Sequence, residues 1–136
     1  MTAGIVLLLV LSCSVYVHHP HFAGSSPLSA GVKVYASASS RIAYQTNITD
    51  AAGCKALVIG LRKAEFAMFG AKADGELNIH YGNGATDRVG FTRSYDGRCS
   101  IFQHGFYSMP SNQFFRVLAD AGIDASMIAT NWNEGR

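Results

Sequence analysis

The stretch ELNIHYGNGATDRVGFTRSYDGRCSIFQH, residues 76–104, decides how the chain folds. Within it Leu77, Ile79 and Tyr81 alternate with Glu76, Asn78 and His80, the period of two expected of a strand covered on one side. Gly82-Asn83-Gly84 breaks that run. Val89 and Phe91 then alternate with Arg88 and Thr92. Tyr95-Asp96-Gly97-Arg98 supplies the Asp-Gly pair that tight hairpin turns favour, because their central residues need positive φ. Cys99 and Ile101 alternate with Ser100, Phe102 and His104. The pattern predicts an antiparallel three-stranded meander with one apolar face.

The flanks read as helices and short strands. Thr49 or Asp50 can cap a helix start, and Cys54, Leu57, Val58, Leu61, Ala64 and Met68 recur at three- and four-residue spacing. That spacing predicts a helix from about Ala51 to Phe69, stopped by Gly70. Ile59, Phe66 and Phe69 lie off the stripe, so a second helix face is also expected to be covered. Upstream, Val32–Tyr35 and Arg41–Thr46 read as short strands. Downstream, Met109-Pro110-Ser111 opens a helix whose stripe is Phe114, Val117, Leu118 and Ala121. Gly122 ends it, Ile123 folds back on Leu118, and Asp124 to Ile128 opens one more turn, leaving Trp132 to pack. The expected fold class is α+β: a helix packed on an antiparallel three-stranded meander, then a C-terminal helix, with short N-terminal strands in front.

Composition bounds the function. The chain has 136 residues, enough for one core and too few for two domains. Lys and Arg number 11 against 9 Asp and Glu, a net charge of +2, which argues against a protein that binds nucleic acid by neutralising phosphates. Only 15% of residues are charged while 49% are hydrophobic.

Much of that apolar content sits at the start. No side chain before Lys33 is formally charged, and Ala3 to Val17 is almost wholly apolar, the length of a signal-peptide core and short of a full membrane helix. The segment divides the chain into a hydrophobic signal or anchor at 1–17, a linker at 18–31 rich in Gly, Ser and Ala, and a single α+β domain at 32–136. Against the alternative of a buried strand or helix of the core, export or membrane attachment has three outcomes: cleavage after Ser14, acylation at Cys13, or retention as a short anchor. Each places the protein in the cell envelope, the periplasm or outside the cell, membrane-attached if the segment stays. His18, His19 and His21 lie in a Pro-interrupted stretch without fixed geometry and read as polar residues at a membrane boundary rather than metal ligands.

Export sharpens the reading of the cysteines. With Cys13 in the apolar segment, Cys54 and Cys99 remain in the folded part, an even number. Cys54 shares the helical stripe of Leu57 and Leu61, and Cys99 shares the strand face of Ile101. Both faces point into one core, so a Cys54–Cys99 disulfide is expected.

Val32-Lys33-Val34, Ile42-Ala43-Tyr44-Gln45-Thr46-Asn47-Ile48 and Ala51-Ala52-Gly53-Cys54-Lys55-Ala56-Leu57 follow one another as strand, strand and Cys-led helix, and Cys99-Ser100-Ile101-Phe102 comes later as a Cys before a strand. This order resembles the C-terminal head of a type IVb pilin, from Val32 to about Phe106. The resemblance implies a hydrophobic N-terminal segment, a small α+β head, a disulfide bracketing the C-terminal region and a place in a surface assembly. It extends neither to a prepilin cleavage motif nor to the residues after Tyr107.

Motifs for catalysis are scarce. Gly82-Asn83-Gly84 lacks the Lys and Ser/Thr of a phosphate loop, and the three Glu residues, Glu65, Glu76 and Glu134, form no evident carboxylate pair. No catalytic residue, metal ligand or cofactor is assigned. The alternation instead gathers Glu76, Asn78, His80, Arg88, Thr92, Phe102 and His104 on the meander face away from the helix, a candidate binding face with Phe102 at its centre. Asn47-Ile48-Thr49 matches a glycosylation acceptor. Three functions compete. The first is an exported or membrane-anchored, non-enzymatic surface or assembly protein, whose partners are another protein or further copies of itself, and the membrane through Ala3 to Val17. The second is a small binding protein, such as an inhibitor or immunity factor, that uses the meander face. The third is a small hydrolase built on His80, His104 and Glu76, which requires those side chains to converge.

Overall fold

A computed structural model describes residues 19–22, 26–36, 41–68, 72–93 and 96–134, with side chains described as far as residue 130. The alternation of residues 76–104 produces strands β4 (Gly75–Tyr81), β5 (Thr86–Arg93) and β6 (Arg98–Phe102) in antiparallel register, with Leu77 opposite Val89 and Phe91 opposite Ile101. Gly84 (φ 83°) and Gly97 (φ 78°) take the left-handed conformation in the two turns, where a side chain would be strained. So the meander forms, but it is only the middle of the sheet.

The structure overturns the expected fold class. Strands β1 (Pro27–Tyr35), β2 (Ile42–Ile48), β3 (Glu65–Phe66) and β7 (Phe106–Pro110) join the meander in one seven-stranded antiparallel sheet, in the order β2-β1-β4-β5-β6-β7-β3. The sheet, with three short helices against it among the described residues, makes the protein strand-rich rather than a helix resting on three strands. β1 pairs with β2 on one side and with β4 on the other, setting Val32 between Thr46 and Leu77. Its first residues fall in the stretch whose Gly, Ser and Ala content reads as linker. In the fold these small residues line an interior strand, and Ala30 is 2% exposed.

β7 is absent from the sequence reading because Met109-Pro110-Ser111 carries a helix-start signal. The helix does start there, but the four residues before Pro110 also alternate, with Tyr107 and Met109 buried and Phe106 exposed. The first helix, α1 (Ala51–Leu61), ends eight residues before the expected Phe69. Arg62 and Lys63 turn the chain so that Glu65 and Phe66 extend and pair with Ser108 and Tyr107 of β7. The start of α1 is as expected: Asp50 accepts hydrogen bonds from Ala52 N (3.1 Å) and Gly53 N (3.2 Å).

Helix α2 (Ser111–Asp120) buries Phe114, Val117 and Leu118, and Gly122 (φ 90°) stops the chain while Ile123 N donates to Leu118 O at 3.0 Å. Helix α3 (Ala125–Glu134) follows and buries Ile128. α1 and α2 cross closely at Gly53, where a Cβ would stand 2.6 Å from the Ala121 carbonyl oxygen. Beneath the helices, Val32, Val34, Leu77, Ile79, Val89, Phe91 and Ile101 are all fully buried, and Phe91 meets Phe114 with ring centroids 5.3 Å apart. The three helices of the described residues lie on this face, and among the described residues no helix covers the opposite one.

The cysteines do not form a disulfide; Cys54 and Cys99 are both free and buried. Sharing the core is not enough to bring them together. The Cys54 thiol donates to the Ile48 carbonyl at the end of β2 (3.8 Å), whereas Cys99 belongs to β6. Three strands stand between β2 and β6, so four inter-strand spacings separate them by about 19 Å. A bridge needs α-carbons within about 7 Å. Cys13, the apolar stretch Ala3 to Val17, the expected helix stop at Gly70 and the Trp132 side chain lie outside what is described. Among the described residues no helix is long and apolar enough to cross a membrane.

Residues 19–22 dock rather than trail. His19 Nδ1 lies 3.1 Å from the Ala64 carbonyl, Phe22 is buried with the Arg62 guanidinium 6.0 Å from its ring centroid, and the His21 backbone pairs with the Gln103 side-chain amide through both groups. Gln103, 3% exposed, thereby does for this segment what a neighbouring strand would do.

Candidate functional site

Strand register assembles the open face. Six strands contribute a row in register, Gln45–Lys33–Glu76–Gly90–Phe102–Phe106, running nearly the width of the sheet. A second row sets Asn47, Gly31, Asn78 and Arg88 beside it, and a third sets Ser29, His80 and Thr86. Six of the seven sequence-predicted residues, Glu76, Asn78, His80, Arg88, Thr92 and Phe102, therefore share one face.

Three of them converge. The Glu76 carboxylate, only 8% exposed, accepts from Asn78 Nδ2 (2.9 Å), Arg88 Nε (2.9 Å) and Arg88 Nη2 (2.6 Å). The Tyr35 hydroxyl also reaches it. Burial pushes the Glu76 pKa up, but the hydrogen bonds from Asn78 and Arg88, the Arg88 charge and the Tyr35 hydroxyl outweigh burial and hold it below the ordinary range. Tyr35 responds in the opposite sense: burial, and then the Glu76 charge, raise its pKa. A carboxylate so fully engaged is a structural anion and a poor proton acceptor. Glu76 and Arg88 also line a cleft of about 450 Å³, together with Tyr35, Lys72 and Gly90.

The other predicted residues do not join them. His80 is exposed, with Nδ1 3.3 Å from Thr86 Oγ1, and it stands four residues along β4 from Glu76, a separation of about 13 Å. Thr92 lies in the strand register as expected but is 3% exposed, and its hydroxyl donates to Asp74 Oδ2 at 2.5 Å. His104 is not on a strand at all. β6 ends at Phe102, and His104 occupies the turn to β7 with φ 51°, its side chain exposed. The convergence of His80, His104 and Glu76 that a hydrolase requires is absent. Among the described residues no group of three His, Cys, Asp or Glu could hold a metal ion.

Phe102 is where the alternation put it, but it is half of a pair. Its ring meets Phe106 edge-on, with centroids 5.4 Å apart, and Phe106 is 43% exposed. Arg98 extends the patch, donating from Nε to Ser108 Oγ at 3.1 Å and standing 3.7 Å from the Glu65 carboxylate. No family model matches the chain, and neither curated proteins nor solved structures give a match. The face must therefore be read from its own chemistry.

Phe106, Tyr35 and Arg98 are the members that sequence reasoning missed. For Phe106 the signal was present, since Phe106/Ser108 against Tyr107/Met109 is a period of two after Gly105. Tyr35 has no such signal, because it reaches Glu76 only through the pairing of β1 with β4. A buried polar pair was missed as well. On the covered side the Tyr81 hydroxyl donates to Asp87 Oδ2 at 2.6 Å, and burial together with Asp87 raises the Tyr81 pKa well above its ordinary value.

Proposed function

We propose that this protein is a non-enzymatic binding protein that engages a protein partner through the open face of its sheet. One observation carries the reading. Among the described residues the three helices cover one face, while the other presents the Phe102–Phe106 pair, with Phe106 43% exposed, and elsewhere on the same face the Arg88 and Arg98 guanidiniums. Aromatic rings and arginines at the centre of a patch are the side chains that protein interfaces favour. Arg88 suits this role, because its side chain is 74% exposed while the carboxylate that orients it is buried. This reading ranks above the surface-assembly reading because the Cys54–Cys99 disulfide that the pilin-like reading expects is not formed. It ranks above the hydrolase reading because Glu76 is occupied and the histidines stand apart.

Affinity capture with the full chain tests it, comparing wild type with Phe106→Asp and with Met127→Asp, a control on α3. Proteins held by wild type and by Met127→Asp should be lost from Phe106→Asp, whose melting temperature should stay within a few degrees of wild type. An identical set on all three baits would overturn the reading, as would a melting temperature that collapses in Phe106→Asp.

A further inference from the structure

The two ends of the sheet are guarded very differently. At one end the outermost strand, β3, is two residues long, and its Glu65 carboxylate faces Arg98 at 3.7 Å. Short edge strands and charged side chains are common means by which a sheet avoids pairing with another chain. At the other end β2 runs for seven residues, and among the described residues no strand lies on its outer side. Its sequence, Ile42-Ala43-Tyr44-Gln45-Thr46-Asn47-Ile48, contains no charge, no proline and no glycine. Six of those seven residues are exposed or half-exposed, and the one register irregularity lies at the Tyr35 end of β1, clear of Tyr44 to Ile48.

We infer that β2 pairs antiparallel with β2 of a second copy of this chain, joining two sheets across a two-fold axis. The strand itself argues for that occupant, because it is complementary to its own reverse. With Gln45 opposite Gln45, Tyr44 of each copy faces Thr46 of the other, and Ala43 faces Asn47. An aromatic against a β-branched residue is a favoured cross-strand pair, and no like charges oppose one another. Tyr44 and Thr46 lie opposite Val34 and Val32 of β1, so the apolar layer of one sheet continues into the next. Arg41, just before the strand, comes to the end where Asp50 follows it in the other copy. Pairing also occupies the backbone N–H and C=O groups that an edge strand otherwise turns to water. Such an isologous contact closes at two copies. It uses the sheet edge and leaves the open face free, so it stands or falls separately from the partner-binding proposal.

Sedimentation equilibrium on the full chain tests it. Wild type should be dimeric, and Gln45→Lys and Gln45→Glu should each raise the dissociation constant at least about tenfold by setting like charges face to face. Mixing the two variants should restore a heterodimer, because the ammonium introduced in one copy then meets the carboxylate introduced in the other, which no unrelated association of the chains would reproduce. Wild type that remains monomeric at about 100 µM overturns the inference, as do dimers equally tight in all three proteins or a monomer that pairs only with unrelated extended peptides. Should Gln45→Lys lower the melting temperature markedly, Gln45→Cys decides the matter: oxidation should link two chains through residue 45, and no link overturns the pairing.

Discussion

The two faces of this sheet are built from the same strands yet hold their residues by different means. On the covered face, seven apolar side chains from β1, β4, β5 and β6 are fully buried under α1, α2 and α3. On the open face, polarity is managed one group at a time: Glu76 by Arg88 and Asn78, Thr92 by Asp74, His80 by Thr86. The same face also carries an aromatic pair that no helix covers among the described residues, Phe102 against Phe106. The contrast separates stability from recognition. Burial on one side supplies the folding energy, and the residues that folding does not need are those free to meet a partner.

Two phenylalanines measure the contrast most directly. Phe91 is fully buried, in a ring contact with Phe114, so Phe91→Ala should cost about 4 kcal/mol through lost burial and a residual cavity. Phe106 is 43% exposed, and Phe106→Ala should cost less than about 1 kcal/mol. Urea denaturation of both variants checks the pair. Equal losses would mean that the open face is covered by something that stabilises the fold, and the contrast would fail.

How far the sequence could be read follows the same division. Alternation in residues 76–102 identified three strands and both their faces, because local periodicity reports burial directly. Asp50, Gly84, Gly97 and Gly122 were legible as a cap, two turns and a stop, since their roles depend only on neighbouring backbone. What stayed hidden was pairing between distant segments. Nothing in Pro27–Tyr35 announces that it lies between β2 and β4, and so nothing announced a seven-stranded sheet or the contact of Tyr35 with Glu76. The cysteines were misread for the same reason. Each was correctly assigned to the core side, but the strand order that keeps them apart is a global property. His104 failed locally: the period of two ran past Phe102 into a turn that Gly105 ends.

Acid should expose a smaller difference between the faces. Glu76 has a lower pKa in the folded chain than when unfolded, so at neutral pH it is ionised in both states and its pairing contributes in full. As pH falls below the ordinary carboxylate range, the unfolded state takes up the proton first. The contribution is then lost progressively until pH has passed through the folded pKa. Glu76→Gln removes this dependence. At pH 7 it should cost about 1–2 kcal/mol in lost charge-assisted hydrogen bonds, and its stability should decline less than that of wild type between about pH 5 and pH 3. Parallel declines would mean that Arg88 and Asn78 do not hold Glu76 as an anion in solution.

The smallest expected effect lies on the covered face, and its value is that it should be close to zero. Burial pushes the Cys99 thiol up to about 12 against the opposing pull of Ser111 and Arg93, and burial with the Asp50 charge raises Cys54 as well. Only the thiolate attacks a disulfide reagent, and at pH 8 a thiol with a pKa near 12 is ionised in about one molecule in ten thousand. Burial blocks access besides. Peptide mapping after brief exposure to such a reagent should find Cys54 and Cys99 unlabelled in the folded protein and labelled in urea. Adding reductant should leave the melting temperature unchanged, because no bond between β6 and the helix beside β2 exists to be cut. Rapid labelling of Cys99 in the folded state would show that the β6 end of the core opens on the timescale of the reagent, and that the covered face is less continuous than the burial of Phe91 and Ile101 implies.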